Sequence, residues 1–187
     1  MKFKPNKYGY MVIGVLAILI IIIAYKKRKS IKSKIMSTLY SHLLDKNGKF
    51  KADRTKPRGE RNNNPGNLIK TNIKWQGKVE NDRNSDGRFE QFYEMKFGVR
   101  ALIKDILNDI KKGKNNLTSI ISEFAPKHEN HTDAYINRVA SMTGLSASEV
   151  IKPTYQNIKA IVHAITQVEN GKQVINDTDF NQAWEIV

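Results

Sequence analysis

The stretch Arg58-Gly59-Glu60-Arg61-Asn62-Asn63-Asn64-Pro65-Gly66-Asn67-Leu68 constrains this chain more than any other segment. Its amides, glycines and proline are poor material for a helix or strand interior, because Asn and Gly favour turns and Pro lacks an amide donor. With Leu68, Ile69, Trp75 and Phe89 close behind, it is too dense and too near apolar residues to be a hydrated linker. The residues admit two readings. One is a structural Asn-rich turn. The other is a set of amides around one carboxyl group, Glu60, suited to a neutral ligand rich in hydroxyls and amides, such as a polysaccharide.

At 187 residues the chain has room for one ordinary domain and an accessory segment. Residues 8–25 are uncharged and almost wholly apolar, which meets the minimum of about 18 residues for a helix that crosses a bilayer. Tyr8, Tyr10 and Tyr25 stand at its ends, where aromatic rings prefer the membrane interface. No small-x-small cleavage site precedes Lys26-Lys27-Arg28-Lys29, so the run reads as a retained anchor rather than a signal peptide. The expectation is a single-pass protein of a virion membrane or a bacterial inner membrane. It has a short basic N-terminus at 1–7, a bilayer-spanning helix at 8–25 and anionic lipid head groups against Lys26–Lys34. More Lys and Arg follow the span than precede it, which puts the C-terminal domain on the cytoplasmic side.

The net charge of +14 favours polyanionic partners, meaning acidic lipids, wall phosphates or nucleic acid. No helix-turn-helix, zinc-ligand spacing or single-strand-binding aromatic motif is present, so no specific nucleic acid is expected. The absence of cysteine excludes a disulfide framework, thiolate chemistry and a cysteine metal site. No metal or cofactor is expected.

Along the chain, Ile35, Met36, Leu39, Tyr40, Leu43 and Leu44 form an apolar stripe at helical spacing, and 26–58 reads as a basic stalk with a linker. From Asn67 to Phe92 short apolar pieces alternate with turn signals such as Asn84-Ser85-Asp86-Gly87, which predicts two or three short strands or an irregular hairpin lobe. Helical spacing returns over Phe97–Ile110, with a stop at Lys111-Lys112-Gly113. Thr118, Thr132, Ser146, Thr154 and Thr178 then read as helix caps, and Gly144 and Gly171 as stops. The predicted fold of 59–187 is α+β: mainly helical with a small irregular β lobe.

Five ordered blocks resemble a known family. They are Gly59–Leu68; Trp75-Gln76-Gly77; Arg88-Phe89 with Phe92; Phe97-Gly98-Val99-Arg100-Ala101-Leu102; and Phe124-Ala125-Pro126 with Glu129-Asn130, Thr132 and Tyr135-Ile136. Over 59–143 the chain resembles phage and prophage proteins related to lysozyme-like peptidoglycan hydrolases, and is similar to the glucosaminidase and flagellar muramidase group. The resemblance implies a lysozyme-like fold and a membrane-anchored, phage-associated enzyme. This enzyme would be a glycosidase or lytic transglycosylase that cleaves the β-1,4 bonds of peptidoglycan glycan strands in entry or lysis. The alternative is a non-catalytic virion protein that grips glycan with the same domain and contacts other virion proteins.

Such cleavage needs an acid to protonate the departing glycosidic oxygen. Glu60 is the first candidate, although Arg61 beside it favours the ionised form, and it stands closer to the Asn-Leu element than the family's catalytic Glu does. Glu129 is the second, flanked by His128 and His131 without the helical spacing of a zinc site. Asp86 and Glu90 are candidates for a second carboxylate. Asn64, Asn67 and Gln76 are expected to meet N-acetyl groups or hydroxyls, and Trp75 and Tyr93 to stack on sugar rings.

Overall fold

The structure is a computed structural model that describes residues 7–125 and 131–187. Within the first helix, α1, the described side chains are those of 15, 18–28, 30, 31, 35, 36, 38 and 39. The chain divides into two compact units, Met1–His42 and Leu43–Val187. The first is α1 (Lys7–Leu39). Ile18 to Ile23 are all exposed along it, as are Tyr25, Ile31, Ile35 and Leu39.

The expected bilayer-spanning helix is corrected here. Among the described residues no helix is long and apolar enough to cross a membrane. Much of 8–17 falls on side chains outside the described residues.

The second unit is helical. It contains α2 (Arg58–Arg61), α3 (Met95–Lys111), α4 (Leu117–Phe124), α5 (Thr132–Thr143), α6 (Tyr155–Asn170) and α7 (Asp177–Trp184). The periodic apolar faces explain the packing. Val99, Leu102, Ile103 and Ile106 of α3 are fully buried, as are Ile158, Ile161, Val162 and Ile165 of α6. Each such side chain contributes about 1.5–3 kcal/mol of burial. Helix α3 packs against α7, α6 and α4, while α5 packs against α6 and α4 and α2 against α6. Gly144 and Gly171 close α5 and α6 in the left-handed conformation at φ 69°, which glycine adopts without a Cβ penalty.

The predicted β lobe is also corrected. Among the described residues, the region between α2 and α3 holds no strand, only the isolated bridges Ile69–Phe89 and Lys78–Phe92. The reason lies in the side chains. The apolar pieces are one or two residues long, and polar side chains bind the backbone where a ladder would have done so. Asn64 Nδ2 donates at 3.0 Å to the Glu90 carbonyl and also to the Leu68 carbonyl, which the Glu90 amide reaches as well at 2.9 Å. Asn84 Nδ2 donates to Phe89 O at 2.8 Å, and Gln91 Oε1 accepts from Ser85 N at 2.8 Å. Each of these bonds satisfies a main-chain group without fixing a strand partner.

Candidate functional site

The Asn-rich turn clamps the C-terminal end of α6. Asn170 Nδ2 donates to Pro65 O and to Thr166 O at 2.8 Å each. A Cβ on Gly59 would lie 2.3 Å from Asn170 Oδ1, so only glycine lets α2 approach α6 this closely. On the other side the turn rests on α3, where a Cβ on Gly98 would meet Asn63 O at 1.8 Å. Asn63 and Asn67 both hold left-handed backbone, φ 49° and 47°, a conformation Asn tolerates better than most residues.

The amides of this turn are largely committed to the fold. Asn64 is fully buried, with Oδ1 accepting from Leu68 N and both amide protons given to carbonyls. Asn62 is buried between Asp86, to which it donates at 2.9 Å, and Gln91 Nε2, from which it accepts. Asn63 Nδ2 donates to Phe92 O and Tyr93 O. These bonds tie all three residues to the turn itself, Asn64, an expected substrate contact, among them.

Glu60 lies on α2, part-buried, 3.2 Å from Lys56 Nζ and 3.1 Å from Lys172 Nζ. Lys172 first and Lys56 second hold its carboxyl below the ordinary range, so it is ionised at neutral pH. The neighbour that sets its charge state is therefore Lys172, brought in by the end of α6, and not Arg61. Arg61 instead turns, with Arg58, toward Asp86. Burial works against the ionised form of Asp86, but hydrogen bonds from Asn62 and the Phe89 amide and the charge of Arg58 outweigh it and lower its pKa. Glu90 is fully buried and paired with Lys78 Nζ at 2.8 Å, and its Oε1 also accepts from Thr71 N. Both of these acids pin the loop region.

The sequence reading missed the residue with the most suggestive setting, Glu169. It sits in the last turn of α6, part-buried. Tyr135 OH of α5 donates to Oε1 at 2.9 Å. Asn67 Nδ2 donates to Oε2 at 3.0 Å and to the Glu169 carbonyl at 3.2 Å. Burial pushes its carboxyl above the ordinary range, and the two hydrogen bonds offset this only in part. The carbonyl end of the helix acts in the same direction, because it disfavours an anion. Burial and the Glu169 carboxyl together raise the pKa of Tyr135, so that hydroxyl stays a donor. Asn67 Oδ1 is buried without a partner.

The other predicted residues sit in the loop region between α2 and α3, in the core or outside the described residues. Trp75 and Gln76 are part-buried in the loop region. Tyr93 is 3 % exposed, meets Phe50 edge to face at 6.5 Å and donates to Glu80 at 2.7 Å, so its ring has no free face for a sugar. Glu129 lies outside the described residues. Among the described residues, no three His, Asp or Glu side chains gather to hold a metal ion.

No known family model matches the chain. Protein P5 of Pseudoalteromonas phage PM2 is 31% identical to it over 132 residues, which span 68% of this chain and 80% of that protein. The match supports the phage connection read from the sequence. At this identity and coverage, the chain belongs to the family of phage protein P5.

Proposed function

We propose that this chain is a phage protein, carried with the virion, that cleaves the β-1,4 glycan of peptidoglycan in host entry or lysis. Its site is the junction of the Asn-rich turn, α2 and the end of α6. One observation carries the reading. Two carboxyl groups of opposite setting, Glu60 held ionised by lysines and Glu169 pushed toward its protonated form, flank the same helix contact. Glycoside cleavage uses such a divided pair, one carboxyl keeping its proton and the other losing it. Lys26, Lys27 and Arg28, exposed on α1, add a cationic surface suited to anionic head groups at an envelope.

A second reading, a non-catalytic virion protein with a glycan-gripping domain, is favoured by the internal bonding of Asn62, Asn63 and Asn64. Zymography of the full chain on purified peptidoglycan of several wall types separates the two. Clearing supports the enzyme, and product mass then tells hydrolysis from anhydro-sugar formation. No clearing by the folded chain on any wall supports the second reading.

A further inference from the structure

We infer that Glu169 is the proton donor of the site, held in place by Tyr135 and by an Asn67 amide that can serve both of its protonation states. The inference rests on the glycan-cleaving reading and deepens it.

Four features of the geometry converge. Three segments distant in sequence meet at this carboxyl: the turn through Asn67, α5 through Tyr135, and α6 itself. Asn67 is held in left-handed backbone, so the residue is strained in the position that aims its amide at Glu169. That amide has an unpartnered, buried Oδ1. With Nδ2 toward Oε2 it stabilises the carboxylate. Rotated by half a turn, the same amide presents Oδ1 and accepts a hydrogen bond from the protonated Oε2, giving up its Nδ2 bond to the Glu169 carbonyl. A buried acceptor left empty costs free energy, and protonation of Glu169 is the event that fills this one. The charged groups gathered at this junction, Glu60, Lys56 and Lys172, are already paired with one another.

The chemistry balances with water as co-reactant. The Glu169 carboxyl gives its proton to the glycosidic oxygen, and the C1–O bond breaks with both electrons going to that oxygen, which leaves as a hydroxyl. Water oxygen then bonds to C1, and the proton it releases returns to the Glu169 carboxylate. Glu60 stays ionised throughout.

The test measures release of soluble fragments from purified peptidoglycan by the full chain across pH 4–9, for the parent, Glu169→Gln, Glu60→Gln and Tyr135→Phe. Circular dichroism and thermal melting accompany each variant. The expected result for Glu169→Gln is a 10²- to 10⁴-fold loss of rate with the fold kept, the usual contribution of a general acid. Its new amide can still accept from Tyr135 and donate to a rotated Asn67. Tyr135→Phe removes a donor to the carboxylate, so the basic limb of the pH profile should move up by about one unit. Parent-like rates for a folded Glu169→Gln would overturn the inference and leave the glycan-cleaving reading standing. If that variant unfolds, an unmoved basic limb in Tyr135→Phe overturns it instead. A parent that releases nothing from any wall overturns both.

Discussion

Gly98→Ala tests how tightly the Asn-rich turn is held against α3. In an isolated helix this change stabilises by about 1 kcal/mol, because alanine is the better helix former. Here the new methyl would lie 1.8 Å from Asn63 O and 2.9 Å from its carbonyl carbon. The obstacle is backbone, pinned by Asn63 Nδ2 bonds to Phe92 O and Tyr93 O, so neither side relieves the overlap by rotating a side chain. Overpacking of this kind costs about 1–3 kcal/mol and sometimes more. With backbone as the obstacle we place the cost at the upper end, giving a net loss of about 2 kcal/mol after the helix gain. For a domain of this size that lowers Tm by about 4–8 °C. Thermal melting of the full chain followed by circular dichroism reads it directly. A Tm equal to or above the parent's would refute the reasoning, since the turn would then yield to a methyl group.

Lys78→Met should destabilise by about 3–5 kcal/mol, because it strips the cation from a fully buried Glu90; urea denaturation measures it. Glu60 and Asp86 both have lowered folded pKa values, so their stabilisation is present above about pH 4 and is lost as pH falls through the folded values. Melting between pH 2 and 5 should show Glu60→Gln closing the gap to the parent as acid is added. Glu169 has the opposite sign. Its raised folded pKa favours folding below about pH 4 and loses that contribution as pH rises through the folded value, so Glu169→Gln should compare best with the parent at pH 8 and worst at pH 4. Asn67→Ala should destabilise more than Asn67→Gly, because only glycine takes φ near 47° without strain. Parallel melts of the two variants decide this.

Much of the helical order was legible because it is local. The stops at Gly144 and Gly171 and the Thr154 cap are one-residue decisions, and the apolar spacing over 97–110 gave α3 to within a turn. The caps read at Thr118 and Thr178 moved two residues upstream, to Asn116 and Asn176, each of which completes a capping box. The box read at Ser146 opens no helix. Its hydroxyl accepts from Ser148 N and Glu149 N, a local turn that competes with a helix start. The β lobe was misread because alternation between apolar and polar residues does not reveal that Asn, Gln and Glu side chains will take the strand partners' bonds. Glu169 was missed for a different reason. In Glu169-Asn170-Gly171 it reads as the end of a helix, and its setting is built by Asn67 and Tyr135, 102 and 34 residues away in the chain.

The same turn therefore argues in two directions, and hydrogen-bonding capacity decides between them. An amide that has given both protons to main-chain carbonyls cannot hold a sugar without first breaking those bonds, at about 1 kcal/mol or more each. Asn64 is in that position. Asn62 and Asn63 are likewise committed to Asp86, Gln91 and the carbonyls of Phe92 and Tyr93. Their density reflects the difficulty of building a lobe without strands. Asn67 differs, since it keeps an acceptor empty and points its donor at a carboxyl that burial disfavours as an anion. The three amides before it hold the turn, and the turn places the fourth. If the chain acts on glycan, the chemistry belongs where an acceptor is left over, at Asn67 beside the Glu169 carboxyl, and the conspicuous Asn run is the scaffold that brings the two together.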